Sequence, residues 1–400
     1  MRSDCSSAAA AIDAQKSSAI YFAEPFRIFF PLGLFLGAIG VALWPLFVWH
    51  AIEFYPAQAH VRLMIEGLMG SFIIGFLGTA GPRLLDASPL LAAETCALLV
   101  LQIVSAFLHL TQRQTIGDIV FLVLLLLFVG IMASRARGRD DPPPPQFVLV
   151  LFGLVNAIAG VFVITAAKSM PSGLFANQLG SLMLNEGFVL FPILGVGAFF
   201  FPKLLGGAKP EPSDLRIAKL LWIKRAVIAA LTGLVIWISF VLEALGWVRI
   251  GAVVRGLTTL IYFVRQGHLL EKPNGPPFLA QCFRLGALLL VAGLFLPLIL
   301  PGYRVASLHL TFIGGFSVII FTVSTRVIIG HAGQSHLFRK RLRFLMAALT
   351  LLIIAMISRV GADFVPPARN SHLVYAALIW LLAATVWLVA LGPKLSLSEE

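Results

Sequence analysis

Charge is what this sequence most lacks. Only 12% of its 400 residues are charged, while 59% are hydrophobic. So few charges could not cover that much apolar side chain in water, which excludes a soluble enzyme or binding domain and implies a polytopic membrane protein. Cysteine is scarce as well: Cys5, Cys96 and Cys282 form neither a C-x-x-C pair nor C-x-x-C-H. The sequence therefore gives no support for a disulfide framework or covalent c-type haem attachment. The polar, Ala/Ser-rich first 18 residues carry no apolar core with a cleavage site, so no secretory signal is expected there. Also missing are a P-loop, a G-x-G-x-x-G after a strand, H-E-x-x-H, a Ser-His-Asp order and any His-His dipeptide.

What the chain does have is a succession of apolar runs of roughly 20 residues, each long enough to cross a bilayer as a helix. Twelve are read, at 27–49, 63–82, 88–109, 115–134, 146–167, 173–201, 218–243, 247–269, 277–301, 305–330, 342–361 and 372–392. The fold class is all-α, a polytopic membrane helical bundle of about 12 transmembrane helices. The sixth run is long enough to tilt or break. Residues 1–26 read as a polar cytoplasmic tail, 27–392 as a single transmembrane domain and 393–400 as a short cytoplasmic tail. Charges and four prolines make Arg135–Pro145 the clearest linker, and a second basic loop runs from Lys203 to Arg225.

Placing the N-terminus inside puts twenty of the 30 lysines and arginines on the cytoplasmic side, seven outside and three within spans. That bias predicts both termini inside. It also accounts for the net charge of +12 as topology and attraction to an anionic bilayer surface, with no call for nucleic acid.

This topology sorts the eight histidines. His50, His60, His109, His309 and His372 fall at the outer face, each on a different span, and form the candidate metal-ligand set. His268, His331 and His336 fall at the inner face. Neutral imidazole suits Fe, Cu and Zn and serves as an axial ligand of haem iron. His60 and Met64 are one helical turn apart and share a face, continued by Gly67, Ser71, Gly75 and Gly78. Two readings stay open: helix packing beside a surface histidine, or a His/Met pair lining a haem or copper site. His309 shares a face with Phe312, Ile313 and Phe316, which suits a haem-pocket wall or a packing stripe equally.

Polar groups inside a bilayer are costly and become functional candidates by default. Asn185 and Glu186 in the sixth span and Glu66 in the second read as a proton or polar relay, or as interhelical hydrogen bonds. Arg255, Arg284 and Arg326 read as partners for haem propionates, or for carboxylates between helices. His309 and His331 are 22 residues apart, roughly 33 Å on a continuous helix. They therefore cannot share one metal.

Three stretches carry a resemblance: Phe26-Arg-Ile-Phe-Phe-Pro-Leu-Gly33; His60-x-x-x-Met64 followed by Gly75-Phe-Leu-Gly-Thr-Ala-Gly-Pro82; and His309 to Gly333, which ends in Thr-Arg-Val-Ile-Ile-Gly-His-Ala-Gly. In this order they resemble the NnrS family. The resemblance implies a 12-helix protein of the bacterial cytoplasmic membrane that holds haem, non-covalent and b-type, together with copper. It also implies a role in nitric oxide metabolism, denitrification or nitrosative-stress tolerance, with nitric oxide or another small diatomic as ligand. Cofactor contacts are then expected at His60, Met64, His309, Arg326 and His331. The sequence departs from the pattern at Arg62 and Leu63, where the family commonly has His and Glu, so one metal ligand fewer is expected.

Two other classes compete. A secondary transporter fits twelve helices with Glu186 near the midplane. A redox subunit of the haem–copper oxidase kind fits the helix count, but needs about six ligating histidines including an adjacent pair. Nitric oxide binding or protection is therefore expected over turnover.

Overall fold

The computed structural model describes residues 21–139, 142–168, 173–205, 215–275 and 278–397. The first 20 residues of the expected N-terminal tail, part of the linker and of the basic loop, and the last three residues of the C-terminal tail lie outside them.

Every expected span is a helix. In chain order these are α1 Phe26–Val48, α2 Ala57–Leu84, α3 Ala92–Leu110, α4 Gln114–Arg137, α5 Pro145–Ala167, α6 Leu174–Leu204, α7 Arg216–Ala244, α8 Val248–Arg265, α9 Phe278–Ile299, α10 Arg304–His331, α11 Arg343–Gly361 and α12 Arg369–Leu391. Eleven of them are long and apolar enough to cross a membrane. The exception, α8, carries Arg249, Arg255 and Arg265 within its 18 residues. The chain is thus a multi-pass membrane protein built as a helical bundle. Short links force neighbours to run antiparallel. Gly246 makes the α7–α8 link at φ +92°, a conformation that costs other residues strain.

Helix contacts repeat every four helices. Within each group the first packs on the second (α1 on α2, α5 on α6, α9 on α10), and the third on the fourth (α3 on α4, α7 on α8, α11 on α12). Between groups, α4 packs on α5, α8 on α9 and α12 back on α1, which closes a ring of three four-helix units. The second helix of each unit forms the inner layer. α2, α6 and α10 are 89%, 67% and 72% buried over their most apolar windows, against 33–61% for the other candidate spans. Between the three lies an apolar cavity lined by Phe72 and Phe76 of α2, Pro192 and Val196 of α6, and Ile319 and Val323 of α10.

These inner helices share an irregularity. Each begins with one or two α-helical turns and then widens into a π-helical stretch: Leu63–Met69 in α2, Leu182–Gly187 in α6 and Leu310–Ser317 in α10. α6 is continuous, widened at this stretch. An inserted residue of this kind redirects the side chains around it and recurs at functional sites. All three stretches lie toward the end of the bundle where α2 begins.

Candidate functional site

The seam between α2 and α10 opens at that end into a cavity. His60 and Met64 of α2 line it together with His309 and Phe312 of α10. Trp44 of α1, Arg359 of α11 and Trp380 of α12 complete most of the wall. The two imidazole rings lie 6.3 Å apart between centres, with planes 17° from parallel.

Each ring is fixed by its Nδ1. That of His60 lies 2.9 Å from the Gly40 carbonyl on α1, and that of His309 lies 2.8 Å from the Val305 carbonyl one turn earlier on α10. A carbonyl only accepts, so each Nδ1 carries the proton and donates it. In the neutral ring this leaves the lone pair on Nε2, the arrangement that orients a metal-ligating histidine. Neither Nε2 has a hydrogen-bond partner among the described residues. Trp44 meets His60 edge-on at 5.9 Å. The approach of α1 depends on Gly40: a Cβ there would stand 3.0 Å from the Leu63 Cβ.

Arg359 is the one charged group in this wall. It is only 7% exposed, and its Nη1 donates to Asp363 at 3.2 Å. It is one of the seven basic residues that the topology places outside, and nothing in the sequence marks it for the cavity. Arg326 is expected to contact a cofactor, yet it sits near the opposite end of α10, its guanidinium 4.6 Å from the Phe338 ring centre. His331 is at that end too. Its Nδ1 lies 3.0 Å from Glu24, which also binds Arg27 and Arg83, and its ring packs edge-on against Phe26. Arg27 in turn donates to the carbonyls of Leu395 and Leu397. His331 therefore helps tie the segment before α1 to the C-terminal segment.

The other candidates divide among separate places. His50 is exposed in the turn after α1. His372 pairs with Ser358 at 3.1 Å, next to the cavity-lining Arg359 and Leu373. His109 belongs to a buried ionic cluster in the first unit. Its Nε2 lies 3.0 Å from Glu66 and its Nδ1 lies 2.8 Å from Gln114. Arg62 joins there, 2.7 Å from Asp118 and 3.3 Å from Glu66. Ligand atoms of Glu66, His109 and Asp118 come within 4.8 Å of one another, close enough to surround a cation. Arg62 and Lys168 already offset the two carboxylates there. The second unit has its own cluster: Arg255 lies 2.6 Å from Glu243 and 3.4 Å from Glu186, and Arg304 pairs with both carboxylates. Asn185 stands beside Glu186 on the π-helical stretch, with its side-chain oxygen buried and unbonded. Sequence reasoning missed Asp118, Glu243 and Arg304 because they sit near span ends and read as boundary charges.

The structure thus brings together His60, Met64 and His309, and leaves Arg62 and Leu63 outside their cavity. Leu63 is buried against the α1 helix at Gly40. No curated protein matches the chain. A family model described as NnrS protein matches residues 20–398, nearly its whole length, and the chain belongs to the NnrS family.

Proposed function

We propose that this protein is a haem-binding membrane protein of nitric oxide metabolism or nitrosative-stress tolerance, with the cavity between α2 and α10 as its cofactor site. The observation that carries the reading is the pair of imidazoles that line this cavity, each committed through Nδ1 and without a hydrogen-bond partner at Nε2 among the described residues. A metal would satisfy both nitrogens. The residues fit a haem: His60 and His309 supply nitrogen donors, while Trp44, Phe312 and Trp380 supply apolar wall for a macrocycle. Arg359 supplies a buried cation for its carboxylates. Such a group would contribute an iron able to bind a diatomic molecule. The chain's own part is to hold the ligand tautomers, exclude water and compensate the carboxylate charge.

Nitric oxide is small and uncharged, and the apolar walls admit it without a polar path. Met64 adds a soft sulfur donor beside the imidazoles, a set that copper also takes. Binding and protection suit the site better than turnover, since its donors number two imidazoles and one thioether. The excess of lysine and arginine on one side supports a bacterial cytoplasmic-membrane protein with both termini inside.

Haem content of protein purified after growth with added haem tests the reading. Wild type and His336→Ala should show a Soret band, with weakened retention in His60→Ala and His309→Ala. Equal retention in all four, or a wild type without haem, would reject the site.

A further inference from the structure

We propose that the apolar cavity between α2, α6 and α10 is a binding site for a small uncharged gas molecule, placed in line with the cofactor cavity as its reservoir. The reservoir role rests on the haem and nitric oxide reading above. The gas site itself does not.

The first observation is continuity along one seam. Passing from the cofactor cavity to the apolar one, the walls take His60, Met64, Met69, Phe72 and Phe76 from α2. From α10 they take His309, Phe312, Ser317, Ile320 and Ser324. Steps of three and four keep residues on one face of an α-helix. Each series has a single step of five, Met64 to Met69 and Phe312 to Ser317, and each of these falls inside a π-helical stretch. A π-helical turn closes one residue later than an α-helical one, so the face is kept through the longer step. One face of each helix therefore lines both cavities. Met69 and Phe72 belong to different cavities yet are three residues apart, as are Ser317 and Ile320, a rise of about 4.5 Å.

The second observation is the chemistry of the wall. Every lining side chain but one is aliphatic or aromatic. The exception is Ser324, whose hydroxyl donates to the Ile320 carbonyl of its own helix at 2.5 Å. A buried water makes about three hydrogen bonds, which one serine oxygen cannot supply. An ion or a polar ligand would go unpaired there as well. Cavities of this character stay dry and take small apolar guests such as xenon.

The third observation is depth. Phe72 of α2, Val189 of α6 and Ile319 of α10 are 4%, 1% and 3% exposed. The wall is thus built from the buried faces of the three inner helices, and a guest is held by dispersion contacts from all of them. Nitric oxide is of the right class, being small, uncharged and in no need of a hydrogen-bond partner. Taken up here from the bilayer, it is kept within one helical turn of the cofactor cavity, so its supply to that cavity depends on this one being open.

Xenon is the probe, as an apolar atom that is located by its scattering. Crystals of the full-length protein pressurised with xenon should show it between Phe72, Val196 and Ile320, and Val196→Phe should lose that site. If Val196→Phe does not fold, Ile320→Phe fills the cavity from the other wall. A wild-type cavity without xenon, or one occupied by ordered water or by a detergent or lipid chain, would overturn the inference. So would xenon retained in a filled variant. Stopped-flow mixing of haem-loaded protein with nitric oxide tests the reservoir: the filled variant and xenon-saturated wild type should both bind more slowly than wild type at equal haem content. Xenon in the cavity with unchanged association rates would refute the reservoir role. Xenon bound to a wild type that takes up no haem would uphold the gas site and reject the haem reading instead.

Discussion

Replacing Arg359 with methionine keeps the length and apolar packing of the side chain but removes its charge from the cavity wall. Arg359 is 7% exposed, and the one carboxylate it meets among the described residues is Asp363, through Nη1 at 3.2 Å. A guanidinium has five N–H donors in a fixed fork, so most remain for a cofactor carboxylate. A hydrogen bond to a charged group contributes roughly 1.5–3 kcal/mol, and each 1.4 kcal/mol is tenfold in affinity. Arg359→Met should therefore weaken haem binding roughly 10- to 150-fold. Titration of haem into apo-protein in detergent, followed at the Soret band, measures this directly. The variant also strands Asp363, so stability has to be separated from affinity. Arg359→Met/Asp363→Asn should recover thermal stability while affinity stays low, and Arg359→Lys should recover part of the affinity. If Arg359→Met folds and binds haem as tightly as wild type, the argument that this cation faces the cofactor is wrong.

The ionic cluster of the second unit predicts a large stability effect. Arg255→Met strands the buried Glu186 and Glu243 beside the half-exposed Arg304 and should cost about 3–5 kcal/mol, read from denaturant unfolding in detergent. Partial recovery in Arg255→Met/Glu243→Gln is expected, and an unfolding midpoint unchanged in Arg255→Met would refute it. At the other end, burial alone would raise the Glu24 carboxyl, but the hydrogen bonds and charges of His331 and Arg27 outweigh it and hold the group below its ordinary value. A depressed folded-state value means that Glu24 stabilises the contact above its unfolded value of about 4.3, and that this contribution is lost as pH falls through the lower folded value. Limited proteolysis of the C-terminal segment should accelerate over that acid range in wild type and be fast already at neutral pH in Glu24→Gln. Protection independent of pH in wild type would count against it.

The helical architecture was legible because it depends on length and apolarity, which are local. All twelve runs became helices. Even the oddity of the sixth run was visible as excess length, although its cause, a widened turn at Leu182–Gly187, was not. Two features had no local signal. The ring of three units arises from contacts between helices far apart in sequence, such as α12 with α1. The grouping of histidines was legible only by depth: five were placed at one face, but which of them face each other depends on how the helices sit around the ring. His60 and His309 meet because α2 and α10 are both inner helices. His109, on the outer helix α3, turns instead to Glu66, and His50 stays in an exposed turn. Arg326 and Arg359 show the same limit, since both are arginines on largely apolar helices and only packing decides which one lines the cavity.

One spacing connects the chemistry to the ring. Glu66, Glu186 and His309 each stand 17 residues before a basic residue of the same inner helix, namely Arg83, Lys203 and Arg326. At 1.5 Å per residue, such pairs are about 25 Å apart, close to the span of a bilayer core, so each inner helix holds a titratable group toward one end and a cation toward the other. The three titratable groups then meet different fates. In the first unit Glu66 is closed off by Arg62 and His109. In the second, Glu186 is held by Arg255 and Arg304. In the third, His309 is bonded through Nδ1 to its own helix, its Nε2 has no hydrogen-bond partner among the described residues, and its ring lines a cavity with that of His60. A charge that has found its counter-charge in a dry interior has little left to offer a ligand, whereas a lone pair without a donor still has its full coordinating power. Two units therefore use this position to hold helices together, and in the third, at its seam with the first, it meets no counter-charge among the described residues.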